Sequence, residues 1–503
     1  MRWQPTRAIP AANRLVGVET WFDDPEAYWA GIDAAVRAAR LPAPVLAVDA
    51  IALEHNIADL RRRAGGVPIR VASKSLRVRS VISDILRRDG FAGVLAYTVD
   101  EARWLATAAE IPDVLLGYPS VSTAAIGRLL ADETAAQRVT LLVDSPRHLD
   151  VIDATVAPSG RRPVRVAIDL DASLRYARGM VHLGVRRSPI HSVADAARLA
   201  ATITRRPGFT LVGVMSYEAQ VAGFADDAAG AMRNQAIGVI QSRSMRELIA
   251  RRSKAVAAIR EYADLEFVNA GGTGSLEATS TDPSVTDIAA GSGFFGGHLF
   301  DGYSHFQPAP AMCFGLDIVR RPSRDIVTAL GGGWIASGPP ALDRLPKPVW
   351  PAGLSYIGSE AAGEVQTPLR GPGARHLGIG DRVWFRHTKS GEPAEHANEV
   401  AIIDRGAIVE QGPMKSLLAK LDVEGFLFDI DGGIPAALPA IEGATLTVAD
   451  DHTLDLDMPR AMDLNRVFAA FNAAGIRVRS MRTKTNRLEE LFVRLTGNEG
   501  KAA

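Results

Sequence analysis

Cysteine and lysine are the two residues this chain nearly does without. One residue in 503 is a cysteine, Cys313, so no intrachain disulfide can form, which fits a reducing compartment. Of 57 basic residues only eight are lysines, and residues 1–253 contain a single one, Lys74. Net charge is missing as well. Lys+Arg and Asp+Glu both total 57, so no overall field draws the chain to nucleic acid or an anionic membrane. Aromatics are few, and no basic run is interleaved with them. No apolar stretch is long enough to span a bilayer, and the opening "MRWQPTRAIPAANRLVGVE" lacks the uninterrupted apolar core of a signal peptide. The pattern GxxxxGK[ST] occurs nowhere, which excludes a P-loop. The expectation is a cytoplasmic protein with no nucleic-acid partner and no membrane insertion.

What is present is a globular composition, 47% hydrophobic and 23% charged, at a length that predicts two or three domains. From residue 44 to 304, short apolar runs alternate with amphipathic segments such as "LRVRSVISDILRRDG" and "SVADAARLAATITRR". The runs are "PVLAVDA", "IRVASKS", "GVLAYT", "DVLLGYP", "VTLLVDS", "VRVAIDLD", "FTLVGVMSY", "FVNAGG" and "DIAAGSG". Nearly continuous apolar strands alternating with helices mean a parallel sheet covered on its faces. Nine runs are one too many for an eight-stranded barrel. "PVLAVDA" is therefore read as a feeder strand outside it, and the fold as a (β/α)8 TIM-type barrel rather than a doubly wound open sheet. Residues 1–43 are an N-terminal extension. Residues 305–400, with Gly/Pro turns between short alternating strands, predict an antiparallel β domain. Residues 401–503 predict a small α+β module in the order β-β-α-β-α, its helix "DLNRVFAAFNAAG" carrying an Asp cap and a Gly stop.

In such a barrel the working residues stand at the carboxyl ends of the strands. Lys74 is there, and so are Asp169, Tyr217, Asn269 and the glycines of "NAGGTGS" (269–275) and "AAGSG" (289–293). In a chain that writes its positive charge as arginine, an isolated lysine at a strand end invites a chemical reading. Arginine stays protonated, whereas a desolvated lysine can lose its proton and form an imine; a salt-bridged lysine at the rim is the alternative. The two glycine clusters end consecutive strands, where barrels commonly bind a phosphate through backbone N–H groups. Thr273 and Ser275 add hydroxyl donors, and ordinary tight turns are the competing reading. An imine-forming lysine facing a phosphate cradle is what pyridoxal 5′-phosphate requires.

Taken in order, "PVLAVDAIALEHNIADLRRRA" leading into "RVASKS", then "GMVHLGV" (179–185), "GVMSYEA" (213–219), "NAGGTGS" and "AAGSGFF" resemble the fold-type III pyridoxal-phosphate enzymes. Within that family, which includes alanine racemase, the D-threonine aldolase and D-serine dehydratase branch is the more similar. The resemblance runs over residues 40–400. It implies pyridoxal phosphate as cofactor, a small amino acid as substrate and a possible homodimer. Lys74 takes the place of the Schiff-base lysine. His182 stands where the family often has an arginine near the ring, and Tyr217 where alanine racemase stacks a histidine. Asn269, Gly271, Gly272, Thr273, Gly274, Gly291 and Ser292 fall where the family holds the cofactor. In "RHTKSGE" the metal-dependent members have a His followed two residues later by Asp or Cys. His387 is kept, as a base on a substrate hydroxyl or as a structural residue, but Lys389 takes the second place. A cation there repels a divalent ion, so no metal is expected, unless Asp301 and Glu392 join His387 to rebuild a site.

The tail, "VAIIDRGAIVEQGPMKSLLAKL" and "RTKTNRLEELFVRLTG", resembles the region that follows the nucleotide-binding domain in ABC-transporter ATPase subunits. Walker A and LSGGQ are both absent, so it is read as an accessory module joined by gene fusion. The function expected is a pyridoxal-phosphate lyase of a β-hydroxy amino acid, of D configuration, by retro-aldol cleavage or by dehydration and deamination. The alternatives are an amino-acid racemase, a non-catalytic carrier of the cofactor, and a transporter-associated protein.

Overall fold

The computed structural model describes residues 18–176, 180–227, 230–339, 341–413, 423–435, 438–441, 443–459 and 462–483. The chain divides into two compact units, Met1–Gln411 and Gly412–Ala503. In the first unit, strand β1 (Val45–Asp49) stands outside the barrel. The next strands are β2 (Ile69–Ala72), β3 (Phe91–Ala96), β4 (Val114–Leu116), β5 (Val139–Val143) and β6 (Val164–Asp169). A short hairpin of β7 (Leu174–Tyr176) and β8 (Val181–Leu183) leaves the barrel after β6, and β9 (Phe209–Ser216), β10 (Phe267–Ala270) and β11 (Asp287–Ala290) complete it. The order β2-β3-β4-β5-β6-β9-β10-β11 is parallel throughout and closes when Ile288 of β11 pairs with Ile69 of β2. This is the (β/α)8 barrel read from the alternation of runs, with "PVLAVDA" as the strand left over.

The strands are buried on both faces because helices cover the outside and side chains fill the inside. Every residue of β2, β4, β5, β10 and β11 is buried. The interior is packed by Leu115, Leu142, Ala167, Val212, Met215 and Phe267. Gly213 is required in β9, since a Cβ there would lie 2.4 Å from the Phe267 ring. The covering helices start where the sequence offers acceptors. Asp49 caps Ala50–Arg63, Thr98 caps Val99–Thr107, and Ser192 with Asp195 forms a capping box on Val193–Arg205.

The β domain draws on more of the chain than residues 305–400. Its strands are β12 (Met312–Ser323), β13 (Ile326–Leu330), β14 (Lys347–Trp350), β15 (Ser355–Tyr356), β16 (Gln366–Arg370), β17 (Arg382–Arg386), β18 (Glu399–Asp404) and β19 (Ala407–Pro413). They form a nine-stranded sheet with β1 inserted between β12 and β18. The helix Pro25–Ala38 of the N-terminal extension buries Tyr28, Trp29, Ile32 and Val36 against Val45, Ala47, Cys313 and Trp384 of that sheet. Trp384 Nε1 donates to Asp33 at 2.9 Å. Residues 401–411 therefore belong with the β domain, because β18 pairs with the buried strand β1 and β19 continues from it.

The second unit is a four-stranded antiparallel sheet of β20 (Val423–Asp431), β21 (Thr445–Asp450), β22 (Thr453–Pro459) and β23 (Arg477–Thr483), in the order β21-β22-β20-β23. The helix Leu464–Ala473, capped by Asp463, packs Val467 and Phe471 against Phe426, Phe428, Ile430, Leu454 and Leu456. The hairpin, helix and following strand read from the sequence are all present. β20 is an additional strand, so the described order is β-β-β-α-β; the expected final helix in "NRLEELFVRLTG" lies outside the described residues.

Candidate active site

Lys74 sits on a one-turn 3-10 helix, Ser73–Ser75, at the carboxyl end of β2. Its Nζ donates to the hydroxyl of Tyr118, 2.5 Å away, on the segment that follows β4. The main chain around the lysine is pinned. Ser73 Oγ donates to the Leu95 carbonyl at 3.2 Å, and Arg77 Nε donates to the Lys74 carbonyl at 2.9 Å. From the β domain, the segment 387–391 closes in on the same turn: a Cβ on Gly391 would lie 2.8 Å from the Lys74 carbonyl oxygen.

Beside β2 in the barrel, β11 and then β10 bring up the two glycine loops. Gly271 has φ +76°, and a Cβ on Gly274 would meet the Ala222 carbonyl oxygen at 2.3 Å, so the first loop accepts only glycine at both places. A buried carboxylate holds that loop from behind. Glu218, fully buried, accepts from Gly271 N at 3.1 Å, from Ser275 Oγ at 3.3 Å and from Thr279 Oγ1. Its charge faces Arg252 at 3.5 Å, which in turn pairs with Asp282 at 2.8 Å. Thr273 Oγ1 joins the two loops by accepting from Gly293 N at 3.1 Å, and its carbonyl accepts from Arg63 at 2.7 Å. Among the described residues, the amides of Thr273, Gly274 and Ser292 donate to no protein acceptor. Unspent amides on loops that side chains cannot enter fit a phosphate group.

A cavity of about 380 Å³ opens at the mouth, lined by Tyr118, Asp144, Asp169, Asp171, Arg187, Met215 and Tyr217, among others. Tyr217 leans on the first glycine loop, where a Cβ on Gly272 would be 3.0 Å from its ring. Burial pushes its phenol up to about 12, with the charge of Glu218 adding to the rise. Asp169 is only 8% exposed. Burial, with Asp144 next in effect, lifts its carboxyl to about 7, against the pull of Arg187.

Of the residues singled out from sequence, Lys74, Tyr217, Gly271, Gly272, Thr273, Gly274, Gly291 and Ser292 gather around this mouth. Gly291 lies where a Cβ would press on Ser75 Oγ at 2.8 Å, and Ser75 Oγ and Ser292 Oγ are 3.3 Å apart. Asn269 points elsewhere. Its amide donates to Asp287, inside the barrel, where Asp287 also holds Arg70 at 3.2 Å over the ring of Phe267. His182 is on the β7–β8 hairpin, its Nε2 3.1 Å from the Val185 carbonyl, in a second cavity with Arg175, Arg186, Arg187 and Ser188.

His387 lies under the second glycine loop. Its Nδ1 donates to the Met312 carbonyl at 3.1 Å, so the neutral ring's Nε2 accepts from Ser390 Oγ at 3.0 Å, and Ser390 Oγ also lies 3.1 Å from the Ser292 carbonyl. Burial, reinforced by Arg386 and His298, pushes its pKa down to about 3, so the ring is neutral at any working pH. Lys389 turns away to the Ser337 carbonyl at 2.8 Å. Asp301 pairs with Arg386 at 2.8 Å and Glu392 accepts from Ser337 N at 3.0 Å, so neither converges on His387. Among the described residues no three His, Cys, Asp or Glu side chains converge as a metal-ion group.

Sequence reasoning missed Tyr118, Asp144, Glu218 and Ser390 as site residues. Tyr118 and Asp144 follow strands β4 and β5, and the rule that selected Lys74 would have found them. Glu218 and Ser390 carry no such signal, because their work depends on contacts distant in sequence.

Comparison with known proteins agrees with this fold. Residues 48–297 match the family model described as alanine racemase, N-terminal domain. Among solved structures, the chain is similar to D-threonine aldolase from Filomicrobium marinum, at 19% identity over 75% of this chain and 95% of that one, with a TM-score of 0.60. It is also similar to D-threo-3-hydroxyaspartate dehydratase from Delftia sp. HT23, at 18% identity over 74% of this chain and 98% of that one, TM-score 0.58. An alanine racemase-like protein from Idiomarina loihiensis follows at 14% identity over 75% and 96%, TM-score 0.54. At these identities the likeness to the solved structures is one of fold.

Proposed function

We propose that this chain, whose barrel carries the alanine racemase N-terminal domain, is a pyridoxal-phosphate-dependent lyase of a β-hydroxy amino acid of D configuration. The observation that carries the reading is the pairing of Lys74 at one strand end with two glycine loops in which, among the described residues, the amides of Thr273, Gly274 and Ser292 lack acceptors. Lys74 would hold the cofactor aldehyde as an imine, Thr273, Gly274 and Ser292 its phosphate, and Tyr217 one edge of its ring. When bound, the cofactor supplies an electron sink for the pair left at the substrate α-carbon.

The chain's own groups do the rest. Tyr118 orients the Lys74 amine through its hydroxyl and gives it a partner for proton exchange. Asp169, whose carboxyl titrates near neutrality, accepts a proton at its carboxylate oxygen from a substrate hydroxyl and returns it later. His387, neutral, donates from Nδ1 to Met312 and accepts at Nε2 from Ser390, which fixes Ser390 beside the Ser292 carbonyl; it is a positioning residue. The names of the two structural neighbours, an aldolase of D-threonine and a dehydratase of a D-hydroxyaspartate, support a β-hydroxy amino acid and the D configuration. The tail resembling ABC-transporter subunits is proposed as an accessory module outside this chemistry.

The test is a panel of D- and L-β-hydroxy amino acids assayed together for aldehyde, keto acid and inversion. Aldehyde with glycine, or keto acid with ammonia, from the D-series supports the reading. Inversion with neither product would make the chain a racemase.

A further inference from the structure

The second cavity, about 300 Å³, adjoins the first and shares Arg187 and Ser188 with it. Its charge is unbalanced. Arg175 is already satisfied by Asp171 and by Ser173 Oγ at 3.2 Å, and His182 by the Val185 carbonyl. Arg186 and Arg187 are different: among the described residues neither forms a hydrogen bond or ion pair, and both line the same cavity. Arg187 stands 5.9 Å from the Tyr217 ring, so it links this cavity to the cofactor side of the mouth. In the barrel order, β6 and its hairpin stand four strands from β2, across the mouth from Lys74. The glycine loops, with their own free amides, account for a phosphate elsewhere.

We infer that Arg186 and Arg187 receive the second carboxylate of a dicarboxylic amino acid, so that the substrate class is acidic β-hydroxy amino acids. The inference rests on reading the first cavity as an amino-acid site, and it adds the side chain. One α-carboxylate needs a single guanidinium, whereas this cavity offers two that form no hydrogen bond or ion pair among the described residues. A guanidinium fork pairs with a carboxylate in a fixed bidentate geometry. The main cavity is lined by Asp144, Asp169 and Asp171 with Arg187 as its charged counterpart, so a second carboxylate is better placed on the Arg186–Arg187 side.

The experiment is a calorimetric titration of the full-length, cofactor-loaded protein with D-aspartate, D-asparagine, D-alanine and the amine-free dicarboxylate succinate. It is repeated on Arg186→Gln and Arg187→Gln, both exposed positions whose fold is checked by thermal melting. D-aspartate should bind more tightly than its neutral isostere D-asparagine, each variant should weaken D-aspartate and succinate by about 10- to 100-fold, and Arg186→Gln, which lines the second cavity alone, should leave D-alanine within about threefold. Equal binding of D-aspartate and D-asparagine by the unaltered protein overturns the inference. So does an equal loss for all three amino acids, which would assign the arginines to the α-carboxylate. Loss of the cofactor absorbance in the variants overturns it too, by assigning them to the phosphate. Succinate separates this inference from the functional reading. If no amino acid engages Lys74 yet succinate binds through the arginines, the acidic site stands and the lyase reading falls.

Discussion

Asp169 and His387 are two buried titratable groups with opposite fates, and each makes a separable prediction. Asp169 is lifted to about 7 by burial, so its carboxylate fraction rises with pH across neutrality. If it moves the substrate proton, kcat should climb through that range, and Asp169→Asn should lower kcat by about 100-fold or more and flatten that limb of the pH profile. His387 is depressed to about 3, whereas an unfolded chain protonates its imidazoles near 6.5. Between those values the unfolded state binds the extra proton. This group's contribution is therefore full above about pH 6.5 and falls by about 1.4 kcal/mol for each unit of acid down to about 3. Arg386 and His298, which press on the ring, keep the sign of the effect. His387→Gln should lose stability at pH 7 but flatten the acid side of the stability curve, measured by denaturant unfolding from pH 7 to pH 4. At this scale the sequence was legible wherever a residue's position on a strand decided its place. Lys74 and Tyr217 needed only the strand ends; Asn269 stands on the same kind of strand, yet its amide turns inward to Asp287, which no periodicity reveals.

Among the elements, the two glycine loops carry most of the proposed chemistry, and their place was readable because both clusters end consecutive barrel strands. Their support was not readable. Glu218, Arg252 and Asp282 form a fully buried charged chain behind the first loop, built from three separate segments. Glu218→Ala leaves Arg252 with Asp282 alone and frees Gly271 N, Ser275 and Thr279, so we expect a loss of about 3–5 kcal/mol together with weaker cofactor binding. Gly274→Ala should cost about 1–3 kcal/mol, because the new methyl meets the Ala222 carbonyl, a backbone atom that cannot swing aside. Both are read by thermal melts with and without pyridoxal phosphate. The strands β1, β18 and β19 show why the β domain was only partly legible. Their apolar runs identify strands, but β1 joins partners more than 260 residues away, and local pattern cannot choose between sheets. β20, nine residues long, escaped notice because it lies beside a segment resembling another protein's tail.

The molecule as a whole consists of two units, and the chemistry proposed above is confined to the first. A chain ending at Gln411 should keep cofactor binding and activity. One ending at Ala397 should fail to fold, since it loses β18, whose partner β1 is buried in the middle of the nine-stranded sheet. Chelation of divalent metal should change turnover little, because Lys389 supplies a cation where an ion would need a donor and both His387 nitrogens are already engaged. Rescue of a chelator-inactivated protein by a divalent ion would contradict that. The central claim is that Lys74 carries the cofactor, and its most direct measurement is reduction with borohydride in the presence of pyridoxal phosphate, followed by peptide mass spectrometry. The expected result is a visible absorbance band lost on reduction, a phosphopyridoxyl group on Lys74, and neither in Lys74→Ala. The same reducible chromophore persisting in Lys74→Ala, or the label falling on Lys389 or another lysine, would contradict it.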